Sequence, residues 1–264
     1  MSELLIPRPA ATVMMVRDAD SGVEVLMLRR NLKSDFVGGA YVFPGGGVDA
    51  SDATTTTEQL VAGLDDHAAS TRLGLATGGL AYYVACLREL FEEAGLLIAR
   101  GSDERPVHFA DAAVAARFGA HRRRVNDGTA SFLDVVTEEK LRLDLGALEY
   151  IAHWVTPEGP PRRYDTRFFV AVAPDAQLAG HDDGETIADT WIQPKVALAQ
   201  QQRGELEMIF PTIRNLEAIA HCATADEVLD FARAQTSIPR IEPRIVNRDG
   251  RVDILMPGDA GFED

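Results

Sequence analysis

Gly79 to Leu96, GLAYYVACLRELFEEAGL, decides the fold of this 264-residue chain. At about 100° per residue, Glu89, Glu92 and Glu93 stand at i, i+3 and i+4 and share one narrow arc of a helix. Leu80, Tyr83, Val84, Leu87, Phe91 and Ala94 fall on the opposite arc. The spacing predicts a helix held to a core by one face while the other lines a cleft. Gly95 suits the left-handed conformation that closes such a helix. Like charges at these spacings cost a few tenths of a kcal/mol per pair, and no lysine is interleaved to relieve them. A hard divalent cation such as Mg2+ or Mn2+, bound by Glu89, Glu92 and Glu93, would offset the repulsion. A solvated acidic face is the alternative that the helix alone leaves open.

Upstream, Ala40-Tyr41-Val42-Phe43-Pro44-Gly45-Gly46-Gly47-Val48-Asp49 reads as a short apolar strand that breaks at Pro and then at Gly. Pro44-Gly45-Gly46, Arg88-Glu89-Leu90 and Glu92-Glu93-Ala94-Gly95 together resemble the signature of the Nudix hydrolases. That signature runs Gly, five residues, Glu, seven residues, Arg-Glu, an aliphatic, any residue, Glu-Glu, any residue, Gly, an aliphatic. Arg88 to Leu96 matches the second half throughout. The first half departs from it. From Gly46 to Arg88 is 42 positions where the signature has 14, an excess of 28 residues, and counting back from Arg88 places the signature's Glu on Leu80. A lengthened surface loop costs little beyond closure entropy, so turn and helix can still meet. A box split in this way resembles the branch of peroxisomal coenzyme A diphosphatases.

The resemblance implies an α/β (α+β) Nudix fold, a mixed sheet sandwiched between helices. It also implies a single domain over residues 1–264, with a core of about 8–200, an insertion of about 50–78 and a helical C-terminal addition of about 201–264. It implies hydrolysis of the diphosphate bond of a nucleoside diphosphate linked to another group, with Mg2+ or Mn2+ as cofactor. Coenzyme A or acyl-coenzyme A is the preferred substrate, giving 3',5'-ADP and a 4'-phosphopantetheine. NADH or ADP-ribose are alternatives, and so is a catalytically silent nucleotide-binding module. Glu89, Glu92, Glu93 and Glu185 are the implied metal ligands, with Glu92, Glu89 and Glu185 catalytic. Gly45, Gly46, Arg29, Arg163 and Asp165 are implied substrate contacts, together with Arg30 and Arg162; a solvated strand end is the alternative for Arg29 and Arg30, and pairing with an arginine to order the loop is the alternative for Asp165. Arg88 holds a glutamate in place, and Gly95 ends the helix. Glu185 is chosen for its place in the loop before Trp191; Asp182 and Asp183 are alternatives.

The remainder of the chain is consistent with one soluble globular protein. Hydrophobic residues make up 46% and charged residues 25%, enough for a sizeable core. The formal net charge of −15 argues against a nucleic-acid polymer as partner. No run of 18 apolar residues and no basic, apolar leader is present, so no membrane partner is expected. Cys86 and Cys222 offer neither metal spacing nor a disulfide framework, which suits the cytoplasm. A homodimer is expected from the family resemblance. Ala10–Val16 and Val23–Arg29 predict a hairpin with a longer loop, and residues 57–72 predict a helix in the insertion. Asp111–Gly119 and Phe132–Leu141 predict short helices flanking Arg122-Arg123-Arg124, three arginines suited either to phosphate or to nearby acids. Leu148–Val155 and Arg167–Ala173 predict strands, and 196–203, 211–222 and 225–234 predict helices. There is no GxSxG, GxxxxGK[ST], HExxH or CxxC.

Overall fold

The computed structural model describes residues 5–32, 38–182, 184–248 and 251–262. Strands β1 (Arg8–Ala19) and β2 (Gly22–Arg30) form the predicted hairpin, but the strands run further than expected and close at the pair Ala19–Gly22. β3 (Tyr41–Val42) pairs with β2, and β4 (Gly45–Gly47) pairs antiparallel with the start of β1. In the insertion, β5 (Val61–Ala62) is followed by helix α1 (Asp66–Leu73) and then by α2 (Gly79–Ala94). The predicted helix over 57–72 is thus split: Thr57–Leu60 is a 3-10 turn, and α1 begins only at Asp66, where Asp65 caps it by accepting the Ala68 N–H at 2.7 Å.

β6 (Ala99–Arg100) leads into α3 (Ala112–Asn126) and α4 (Phe132–Glu138), each opened by a side-chain cap, Asp111 and Ser131. β7 (Arg142–Asp144) joins β5 and β6 in a small three-stranded sheet. β8 (Glu149–Val155), β9 (Tyr164–Val172) and β10 (Thr186–Ile192) complete the main sheet. Its order is β10-β2-β1-β9-β8, with β11 (Arg240–Ile241) at the end, parallel to β8. Before β11 come α5 (Pro194–Gln202), α6 (Phe210–Ile219) and α7 (Ala225–Arg233). The chain closes on the hairpin β12 (Arg244–Arg248) and β13 (Arg251–Leu255).

Strand alternation sorts the core into two layers. Ala11, Val13 and Met15 of β1 pack with α1–α4 on one face, while Met14 and Val16 pack with α5–α7 on the other. The sheet is mixed, β1 running parallel to β9 and antiparallel to β2, and helices cover both faces as expected. Among the described residues no helix is long and apolar enough to cross a membrane.

α2 is buried almost all round rather than along one face. Tyr83, Val84, Leu87, Leu90 and Phe91 are each at most 1% exposed, and burial of side chains this size stabilises by roughly 1.5–3 kcal/mol apiece. Its start has no cap of its own. Instead Asp66 of α1 accepts the N–H groups of Gly78 and Leu80, and the Ser70 hydroxyl accepts that of Gly79. Its end closes at Gly95, φ +70°, as the sequence predicts. There Arg122 of α3 donates to the carbonyls of Glu92 and Glu93 at 2.9 and 2.7 Å. One of the three successive arginines therefore caps α2. Arg124 instead pairs with Glu138 at 2.7 Å, the balancing role weighed for the group.

Candidate active site

The β4 glycines carry the backbone against the acidic side of α2. The Gly45 N–H donates to Glu93 Oε2 at 2.9 Å, and Arg88 Nη2 donates to the Gly47 carbonyl at 2.7 Å. A Cβ at Gly46 would lie 2.4 Å from Glu89 Oε1, so a side chain there would displace that carboxylate. The glycine turn and the helix, 42 positions apart by the numbers of Gly46 and Arg88, thus meet in space.

A residue that the sequence reading passed over joins them. Asp52, 1% exposed, accepts from Arg88 Nε at 2.8 Å and Nη2 at 3.1 Å. Arg88 also donates through Nη1 to Glu89 at 2.8 Å and to Glu92 at 3.2 Å. Counted forward from Gly46, Asp52 follows after five residues, the spacing the signature gives its first acid. Leu80, reached by counting back, is a buried core residue. The acid is therefore not missing but shortened by one methylene, and the excess residues lie after Asp52. Counting from the glycine rather than from the arginine would have found it.

The three glutamates sit in a poorly solvated place. Burial pushes the Glu89 carboxyl up to about 7, against the pull of Arg88 and helped by Glu92 and Glu185. Glu93, 3% exposed, is pushed well above the usual range by burial and then by Glu89. Burial raises Glu92 as well, with Arg88 opposing. Hard oxygen donors that repel one another in a desolvated pocket are the donor set suited to a divalent cation, and the residues fit such a group. Arg88 is hydrogen-bonded to Glu89 and Glu92, and Arg30 acts on the charge of Glu93. Among the described residues no three of these side chains are drawn into a single coordination sphere.

Glu185 lines the same cleft, close enough to act on the charges of Glu89, Glu92 and Glu93. Asp182, the first alternative, is used by the loop itself: it accepts from Glu185 N at 3.0 Å, and from Thr186 N and the Thr186 hydroxyl, each at 2.8 Å. Burial acts to raise its carboxyl, but these donors outweigh it and hold it below the usual range. Asp183, the second alternative, lies outside the described residues.

Three expected substrate contacts are corrected. Arg29 faces away from the cleft, donating to the Gly39 carbonyl and standing 5.9 Å over the Tyr41 ring, and it is Arg30 that lines the cleft. Neighbours on a strand point to opposite faces, so only one of the two can enter. Arg163 is buried and structural, donating to the carbonyls of Thr156 and Leu5 and pairing with Glu242. Asp165 pairs with His153 at 2.7 Å and with Arg167, on the face of β9 opposite the cleft. Arg162 does line the cleft.

The cleft encloses about 660 Å³. Glu89, Glu92, Glu185, Arg30 and the β4 glycines form one end. Trp154 and Phe168 form an apolar wall, extended by Phe210 of α6 and by Pro243 and Ile254 near the final hairpin. The C-terminal addition is thus part of the site.

Comparison with known proteins agrees with this geometry. The model of the NUDT19 Nudix domain matches residues 65–219, more than half of the chain. The chain belongs to the NUDT19 Nudix family. It is 27% identical over 270 residues to acyl-coenzyme A diphosphatase NUDT19 of Xenopus laevis, covering 90% of this chain and 71% of that one. The protein of the same name from Gallus gallus is 28% identical, over 89% of this chain and 72% of the relative. Among solved structures, a NUDIX hydrolase from Alicyclobacillus acidocaldarius superposes with a TM-score of 0.68 at 29% identity, covering 86% of this chain and 97% of that one. The protein is a Nudix hydrolase with the Nudix fold, and hydrolases of this family work with a divalent cation. The NUDT19 match begins after Gly46 and Asp52, so the structure rather than the match supplies the first half of the box.

Proposed function

We propose that this Nudix hydrolase is an Mg2+- or Mn2+-dependent diphosphatase of coenzyme A and acyl-coenzyme A, releasing 3',5'-ADP and the (acyl-)4'-phosphopantetheine. The observation that carries the reading is the rejoined box: Asp52 and Gly47 hold Arg88, and Arg88 holds Glu89 and Glu92 at the mouth of a cleft with an apolar wall. The curated relatives bearing the acyl-coenzyme A diphosphatase name support the substrate class.

Glu89, Glu92, Glu93 and Glu185 would hold the cation, which when bound supplies charge neutralisation at the diphosphate and acidifies water. Arg88 fixes the two carboxylates it touches, and Gly45 fixes Glu93 through its N–H. Arg30 and Arg162 present guanidinium groups to the diphosphate oxygens along the cleft. Water adds to one phosphorus, the bridging P–O bond breaks, and Glu185 takes the proton of the attacking water. Trp154, Phe168 and Phe210 exclude water beside the reacting bond.

The two buried, unpaired cysteines support a reducing compartment such as the cytoplasm. The homodimer is part of the same proposal, and sedimentation of the purified chain tests it.

The test of the activity is a panel of coenzyme A, acetyl-coenzyme A, NADH and ADP-ribose, with Mg2+ or Mn2+ and then with chelator, products separated by chromatography. Release of 3',5'-ADP from the coenzyme A substrates, abolished by chelator, is expected. Preferential cleavage of NADH or ADP-ribose would overturn the substrate class.

A further inference from the structure

The face of β9 turned away from the cleft carries a second cavity, of about 980 Å³. Asp165 and Arg167 point into it, while Thr166 and Phe168, between and beyond them on the same strand, line the cleft. Its walls come from the two additions to the core: the end of α1 contributes Arg72, and the end of α7 with the segment after it contributes Arg233 and Arg240. His153 of β8 completes a basic lining opposed by only two acids, Glu149 and Asp165, on a chain whose net charge is −15.

One buried donor at this cavity has no acceptor. Among the described residues, Arg167 Nε is buried and has no hydrogen-bond partner. The Arg167 side chain is 6% exposed, its Nη1 engaged by Asp165 and its face packed 5.3 Å from the Tyr82 ring. A buried donor left unpaired costs about 1–3 kcal/mol, more when charged, so an unpaired guanidinium nitrogen on a residue lining a cavity calls for an acceptor oxygen. The rim cations are partly committed, Arg233 to Glu149 at 2.8 Å and Arg240 to Glu242 at 2.7 Å, yet both remain about half exposed and can also face an anion.

We infer that this cavity is an oxyanion site, separate from the diphosphate cleft, that binds a phosphate group between Arg167 and the rim arginines Arg72 and Arg240. Guanidinium forks match phosphate oxygens, and a buried Arg backed by an aromatic ring is a fixed donor for them. The inference does not depend on which substrate the cleft hydrolyses.

The test is titration of the full chain with inorganic phosphate in the presence of chelator, followed by 31P NMR and calorimetry. Saturable binding is expected, weakened about tenfold or more in the double variant Arg72→Ala, Arg240→Ala, because charge-assisted hydrogen bonds are lost. Glu92→Gln, in the cleft, and the double variant Arg203→Ala, Arg214→Ala, outside the lining of the cavity, both bind as wild type. Absence of saturable binding would overturn the site. So would binding that follows Glu92→Gln, or an equal loss in the Arg203, Arg214 control, which would make the attraction a diffuse effect of charge.

Discussion

Asp52 and Arg88 are 36 residues apart in the chain and form a two-pronged buried ion pair, 2.8 and 3.1 Å long. Arg88 in turn touches Glu89, Glu92 and Gly47, so one guanidinium joins the insertion, the glycine strand and the acidic helix. Its charge is strongly held, raised by Asp52 and the glutamates against the cost of burial.

Removing one member of that pair leaves a buried charge short of a partner. Asp52→Asn is expected to cost about 3 kcal/mol, the lower end for broken buried pairs because Arg88 keeps its other acceptors. Turnover should fall with it, since Glu89 and Glu92 lose their fixed neighbour. Asp52→Glu, which restores the side chain of the family signature, should keep the fold and most activity. Thermal melts beside steady-state rates decide; an Asp52→Asn protein as stable and active as wild type would sink the role.

Gln in place of Glu92 or Glu93 keeps shape and removes charge. Each variant should fold normally and lose about 10²–10⁴-fold in turnover, the scale of a lost acid–base or charge contribution. For Glu93 the amide oxygen can still accept the Gly45 N–H, so the loss would report charge rather than position. Circular dichroism with product chromatography checks it.

Glu185→Gln and Asp182→Asn should separate cleanly. Glu185 faces the cleft, so its change should reduce turnover and leave the melting temperature alone. Asp182 organises its loop through three hydrogen bonds, so its change should cost stability first, about 1 kcal/mol.

Chelated protein should become less stable as pH rises through the acid cluster. The folded Glu89 carboxyl titrates at about 7 against an ordinary 4.5, so the folded state binds the extra proton between those values. The contribution of this residue to stability is therefore greatest below pH 4.5, falls as pH climbs to about 7, and is flat beyond, a loss on the order of 3 kcal/mol. Mg2+ or Mn2+ favours the ionised form, so its addition should raise the melting temperature far more at pH 8 than at pH 5. Equal shifts at both values would contradict the placement of the cation among these carboxylates.

The sequence by itself determined what depends on near neighbours. The three glutamates at helical spacing, the glycine that ends α2 and the alternation of β1 and β2 follow from periodicity and backbone preference, which act within a few residues. The three helices after β10 were legible for the same reason. Only the tertiary structure decided which distant groups meet. It chose Asp52 over Leu80 as the acid that holds Arg88, Arg30 over Arg29 for the cleft, and the far face of β9 for Asp165. It also turned the predicted half-exposed α2 into a helix enclosed on nearly every side, with Glu93 buried. These outcomes rest on how the residues inserted after Asp52 fold back as α1 against α2, and on which face of each strand the packing turns toward the cleft. A loop of any length can bring the same two ends together, so its length carries no record of the partners it unites.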